Sequence, residues 1–97
     1  MATYIMLIQF TEQGVRNVQD SPKRAEAVKA TGAKLGVKIT EVYWTLGAYD
    51  GVLMAEAPND EAMTALALSV GKLGFVRTQT LRAFDAEAFK GILGKVK

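Results

Sequence analysis

The chain contains no cysteine and no histidine. The first absence removes disulfides, thiolate nucleophiles and thiolate metal sites together. The second removes the commonest metal ligand and the usual proton shuttle near neutral pH. Charge of one sign is scarce as well, because 12 lysines and arginines against 10 acids leave a formal net charge of +2. The basic residues are dispersed, from Lys23 and Arg24 to Lys95 and Lys97 in the tail. That spread reads as a solvated surface and not as a phosphate-tracking stripe. No apolar run approaches the roughly 20 residues a membrane helix requires, and the N-terminus opens on a strand pattern instead of a signal segment. A cytoplasmic protein without membrane contact is expected. Internal repeats, low-complexity stretches and linkers are also missing, so residues 1–97 read as one domain with a modest core.

What is present begins with two strand candidates that are apolar on both faces. An antiparallel sheet with one solvated face alternates apolar and polar residues, because only one row of side chains leaves water. In Tyr4–Phe10, however, Tyr4, Met6, Ile8 and Phe10 point one way while Ile5 and Leu7 point the other. In Val52–Ala57, Val52 and Met54 oppose Leu53 and Ala55. A second apolar cover is needed, and another copy of the chain is the expected one.

The remaining pattern alternates helix and strand. Ser21-Pro22 offers an N-cap followed by proline at the first helical position, opening a helix to about Leu35 with an inward stripe of Ala25, Val28, Gly32 and Leu35. Gly36 is placed to end it. Lys38–Leu46 is rich in β-branched and aromatic residues, and Gly47–Gly51 turns the chain into the strand Val52–Ala57, giving a hairpin. Pro58-Asn59-Asp60 caps a second helix, almost wholly apolar, running to about Leu73. A strand of mixed polarity, Val76–Phe84, follows. Asp85 then caps a short helix with a stripe of Ala86, Phe89, Leu93 and Val96, expected to pack against the second helix.

The order β-α-β-β-α-β plus a terminal helix predicts an α+β, ferredoxin-like sandwich. Its first and third strands are central, where the doubly apolar segments fall. Its second and fourth are edges, where Lys38, Thr40 and Glu41, or Arg77, Gln79 and Arg82, are tolerated and discourage stray pairing. With both helices on one face, the other face is left apolar and calls for a partner.

Several runs together carry a family likeness: Tyr4–Thr11, Gln13-Gly14-Val15-Arg16-Asn17, Ser21-Pro22-Lys23-Arg24-Ala25, Tyr43–Asp50 and Arg77–Phe84. Over nearly the whole chain they resemble the GYD domain family, with Ala48 separating glycine from tyrosine in the naming motif as Gly47-x-Tyr49-Asp50. The resemblance implies a ferredoxin-like subunit that pairs into a dimeric α/β barrel. It implies no single chemistry, since such barrels include cofactor-free oxygenases, isomerases, haem enzymes and plain ligand-binding modules.

Four places hold candidate site residues. Tyr49 and Asp50 pair a phenol with a carboxylate at the entry to a central strand, an arrangement suited to acid–base work if burial raises the aspartate. The plainer reading makes Asp50 a cap for turn amides and Tyr49 a rim side chain. Tyr43 and Trp44 suit a ligand cavity and suit an interface or core equally. Arg16 lies in the loop Thr11–Asp20, whose Gln13-Gly14-Val15-Arg16 is superficially similar to the phosphate-cradling loop of acylphosphatases. The aromatic-arginine continuation of that signature is missing, which leaves an anion contact by Arg16 against a short irregular helix that ties the loop down. Arg77 and Arg82 fall on opposite faces of the last strand, so one of them is positioned to hold an anionic ligand. The alternative is a salt bridge between subunits, with Glu41 or Glu56 as mate.

RNA binding is disfavoured, because Val52-Leu53-Met54-Ala55 lacks the stacking aromatics that RNA-recognition motifs place on central strands. No EF-hand or clustered Asp/Glu spacing marks a metal site, and no cofactor is expected. Two functions remain. One is an uncharacterised homodimeric or higher homo-oligomeric module that binds a small apolar or aromatic molecule or regulates a partner. The alternative is a cofactor-independent enzyme, of oxygenase or isomerase type, acting on such a molecule.

Overall fold

The computed structural model describes residues 1–97. The chain order is β1 (Ala2–Phe10), α1 (Glu12–Arg16), a 3-10 turn (Val18–Asp20), α2 (Ser21–Lys34), β2 (Lys38–Trp44), β3 (Gly51–Ala57), α3 (Asp60–Gly71), β4 (Val76–Ala83) and α4 (Ala86–Leu93). All strand pairs are antiparallel, in the order β2-β3-β1-β4. This is the ferredoxin-like arrangement, with the two doubly apolar strands at its centre.

Pairing register separates the two faces. Tyr4 stands opposite Ala55 and Met6 opposite Leu53, and these four are buried under the helices with Ala57, Val37, Met63, Leu66 and Val70. One residue along, Ile5 pairs with Met54 and Leu7 with Val52, while Leu81 lies beside Ile5 on β4. No element of the chain covers this second face, and Met54, Leu81 and Tyr43 on it are exposed.

Local chemistry sets the element ends. Asn59 accepts a hydrogen bond from the Ala62 amide at 2.9 Å to cap α3, and Asp85 accepts from Ala88 at 2.8 Å to cap α4. Gly36 ends α2 with a φ of 77°, a conformation that glycine adopts without penalty. The start of α2 departs from expectation. Ser21 is not the cap but the first helical residue, because the 3-10 turn runs straight into the helix and the Val18 carbonyl already accepts from the Ser21 amide. β2 stops at Trp44, short of Leu46, which is fully exposed. α3 stops at Gly71 instead of Leu73.

The larger correction concerns α4, which does not pack on α3. It leaves the body beyond the end of β4, so the molecule measures 49 Å along its longest axis and only 31 by 18 Å across. β4 ends where Ala83 pairs with Thr3, beside the first turn of α3. The leucine that α3 leaves exposed, Leu68, and Leu73 just beyond it lie toward the opposite end of the sheet. The stripe on α4 therefore stays uncovered, with Phe89 50%, Leu93 53% and Val96 68% exposed. No helix is long and apolar enough to cross a membrane.

Candidate functional site

The residues on the inner stripe of α2 are small. A Cβ added at Gly32 would stand 3.1 Å from the Val37 carbonyl oxygen, just ahead of β2, and 3.5 Å from the Ile39 side chain on it, while Ala25 and Val28 lie on the lining of a cavity. This cavity, of about 130 Å³, is left between α2 and the sheet. Met6, Ile8 and Phe10 of β1, Val42 and Trp44 of β2 and Leu53 of β3 form its floor, Leu73 and Phe75 also line it, and it is partly open to solvent. Most of the lining is apolar.

The polar groups on this lining are nearly all committed. Ser69 donates to the Ala65 carbonyl at 2.7 Å and Thr31 to that of Ala27 at 3.0 Å, both inside their own helices. Arg24 donates to the Asn17 carbonyl at 3.0 Å and to the Ser21 hydroxyl at 3.2 Å. Its guanidinium lies 4.4 Å from the centroid of the Phe75 ring, a cation–π contact. Asp50 Oδ2 accepts from the Phe10 amide at 2.8 Å, and the Asp50 amide donates to the Ile8 carbonyl at 2.8 Å. Asp50 Oδ1 has no partner in the chain.

Of the residues singled out in the sequence, the cavity gathers Asp50, Trp44 and Tyr43. Tyr43 borders it only by position on the strand, because its register partner is Val52 and its hydroxyl donates to Glu41 at 3.1 Å on the open face. That hydrogen bond raises the Tyr43 phenol above its ordinary value. Tyr49 is elsewhere: its hydroxyl donates to Gln79 Oε1 at 2.9 Å, and Gln79 pairs with Leu7 on the open face. Tyr49 and Asp50 thus reach toward opposite sides of the sheet and do not converge. Arg16 lies on a shallow polar depression with Thr11, Gln13 and Asn17, paired to Glu12 at 2.6 Å. Arg77 sits beside Gln9 on the open face, away from the cavity. Sequence reasoning does not single out Arg24, Phe10 and Phe75 as lining. The signal that points to them is the run of small residues on the inner stripe of α2.

The GYD domain model matches residues 4–93. The chain belongs to the GYD domain family. It is 31% identical over 84 residues to a Thermus thermophilus protein named glutamine synthetase and cystathionine beta-lyase binding protein, covering 86% of this chain and 88% of that one. The crystal structure of TTHA0845 from Thermus thermophilus superposes with a TM-score of 0.58 at 28% identity, over 89% of this chain and 96% of its own. The crystal structure of FFRP-DM1 gives a TM-score of 0.63 at 17% identity, over 87% and 100%, a likeness of fold alone. In this GYD domain the naming residues act as staples. Gly47 turns with a φ of 123°, Tyr49 reaches across to β4 and Asp50 holds the end of β1.

Proposed function

We propose that this chain is a small homo-oligomeric binding module. Two copies pair through the open face of the sheet, and each holds a small apolar or aromatic molecule beneath α2. The observation that carries the reading is the cavity of about 130 Å³ with its mainly apolar lining. Its size is comparable to an apolar cavity of about 150 Å³ known to take up benzene.

Pairing is supported by the row Ile5, Leu7, Val52, Met54 and Leu81, which a lone subunit leaves half-buried or exposed. Both signs of charge border that row, with Lys38 opposite Glu56 and with Glu41 and Arg77 on the two edge strands. Such a face can meet its own copy about a twofold axis without facing a single sign of charge. The likeness to a protein named for binding two enzymes supports a regulatory role, in which the module docks on an enzyme. An enzymatic role for Asp50 and Tyr49 has less support, because their side chains diverge.

Native mass spectrometry tests both halves together, since it reads subunit number and retained small molecules. The expected result is a dimer or higher oligomer that gains mass after exposure to toluene. A monomer that gains none would overturn the reading.

A further inference from the structure

We infer that the molecule held beneath α2 is a single aromatic ring carrying a hydroxyl, and that Asp50 selects it. The inference rests on the binding function proposed above and adds the class of ligand.

Asp50 is a carboxylate on a mainly apolar lining. Water is the poorer neighbour once a ligand fills such a space, so an acceptor left there must be met by a donor or it costs affinity. Only half of the carboxylate is met from within the chain, by the Phe10 amide on Oδ2 at 2.8 Å. Arg24, the other charged group on the lining, forms no ion pair with Asp50. Its donors go to Asn17 and Ser21, and its face lies on Phe75. The hydroxyls of Thr31 and Ser69 donate within their helices. Oδ1 is therefore left to solvent, and a ligand that fills the cavity displaces that water and has to supply the donor in its place.

The number of donors decides among ligand classes. An ammonium brings three donors and a positive charge that Arg24, on the same lining, repels. A carboxylate or phenolate brings none and repels Asp50. A phenol brings one. The ring is indicated by the volume, which suits one ring, and by Phe10, Trp44 and Phe75 around it, whose faces and edges pack well against an aromatic.

Trp44 is the sole tryptophan and lines the cavity, so its fluorescence reports occupancy directly. Phenol and toluene have nearly the same shape and differ in the donor. Asp50→Asn retains an oxygen for the Phe10 amide and turns the open acceptor into a donor. Titration of the full chain is expected to show that Asp50→Asn weakens phenol about tenfold and moves toluene less than about twofold. Anisole, which keeps the oxygen and loses the donor, is expected to bind the unaltered protein about tenfold more weakly than phenol, which repeats the test without a variant. Val28→Phe, by filling the cavity, is expected to abolish both titrations. Equal losses for phenol and toluene in Asp50→Asn, or anisole binding as tightly as phenol, overturns the inference and leaves the binding module standing. If neither phenol nor toluene perturbs Trp44, both fall.

Discussion

The Tyr4 hydroxyl donates a hydrogen bond to Asp60 Oδ1, tying the centre of the sheet to the first turn of α3. Asp60 serves twice there, as acceptor for the phenol and as a negative charge near the positive end of the helix. The hydrogen bond to Asp60 raises the Tyr4 phenol above its ordinary value of 10.0, and burial adds to the effect. A phenol held more firmly protonated in the folded state stabilises that state fully below the unfolded value, and the contribution is lost as pH rises toward the folded value. Thermal melts followed by circular dichroism should therefore show stability falling above about pH 10. Tyr4→Phe should melt lower than the unaltered protein at pH 7 and lose part of that alkaline slope. Tyr43 titrates in the same direction through Glu41, but it is exposed and solvent screens it, so the difference between the two proteins isolates Tyr4. Parallel curves above pH 10 would show that the Tyr4–Asp60 tie contributes nothing.

Gly14 is needed for steric reasons and not for its freedom of rotation. A Cβ there would stand 2.0 Å from the carbonyl oxygen of Phe75, which already accepts the Thr11 amide at 3.0 Å. Thr11 reinforces the same junction by donating to the Gly74 carbonyl at 2.6 Å and accepting from the Gly14 amide at 3.1 Å. Backbone atoms on both sides cannot swing away, so Gly14→Ala should cost about 1–3 kcal/mol. The melting temperature should fall by roughly 5–15 °C. Gly71→Ala is the control, since nothing lies within 4 Å of its added Cβ, and it should be neutral or slightly stabilising. Indistinguishable melting of the two variants would refute the steric account.

The strand pattern of the sequence carried most of this architecture. Alternation in Tyr4–Phe10 and Val52–Ala57 exposes the two-faced centre, and Asn59 and Asp85 announce their helices through short-range capping. Tyr49 and Asp50 lie in the turn ahead of β3, where no alternation applies, so their separation is not legible from the sequence. Contacts between distant segments left no such mark. Nothing near Gly14 in the chain signals the Phe75 carbonyl, and nothing local gathers Phe10, Trp44 and Phe75 around one cavity. The stripe on α4 is legible as a stripe, but a local pattern does not say what will cover it.

α4 has only 8 residues, and isolated helices of that length are marginal in water. Its Asp85 cap and its few internal hydrogen bonds hold it, and apart from Ile92 every residue of Ala86–Leu93 is exposed. Hydrogen exchange on dilute protein should find the amides of Ala86–Leu93 within about tenfold of unstructured rates. Amides in the central strands β1 and β3 should exchange far more slowly. Protection of α4 equal to that of β1 would contradict this and would mean that its apolar stripe is docked.

The open face offers the sharpest test, because a lone subunit and a pair respond to the same substitution in opposite ways. Leu7 sits in the middle of that face between Val52 and Gln79, half-buried by its neighbours alone. In a free subunit Leu7→Glu places a charge where water already reaches, so the fold should survive with little change in melting. In a pair the same carboxylate is enclosed against a second row of apolar side chains, a penalty of about 3–5 kcal/mol. Sedimentation velocity should therefore find the unaltered protein paired, and its dissociation constant raised by at least about 100-fold in Leu7→Glu. Leu46→Glu, at a fully exposed turn position, should leave the assembly unchanged. If the unaltered protein sediments as a stable monomer at micromolar concentration, the half-covered row of Ile5, Leu7, Val52 and Met54 needs no second copy, and the pairing argument fails at its premise.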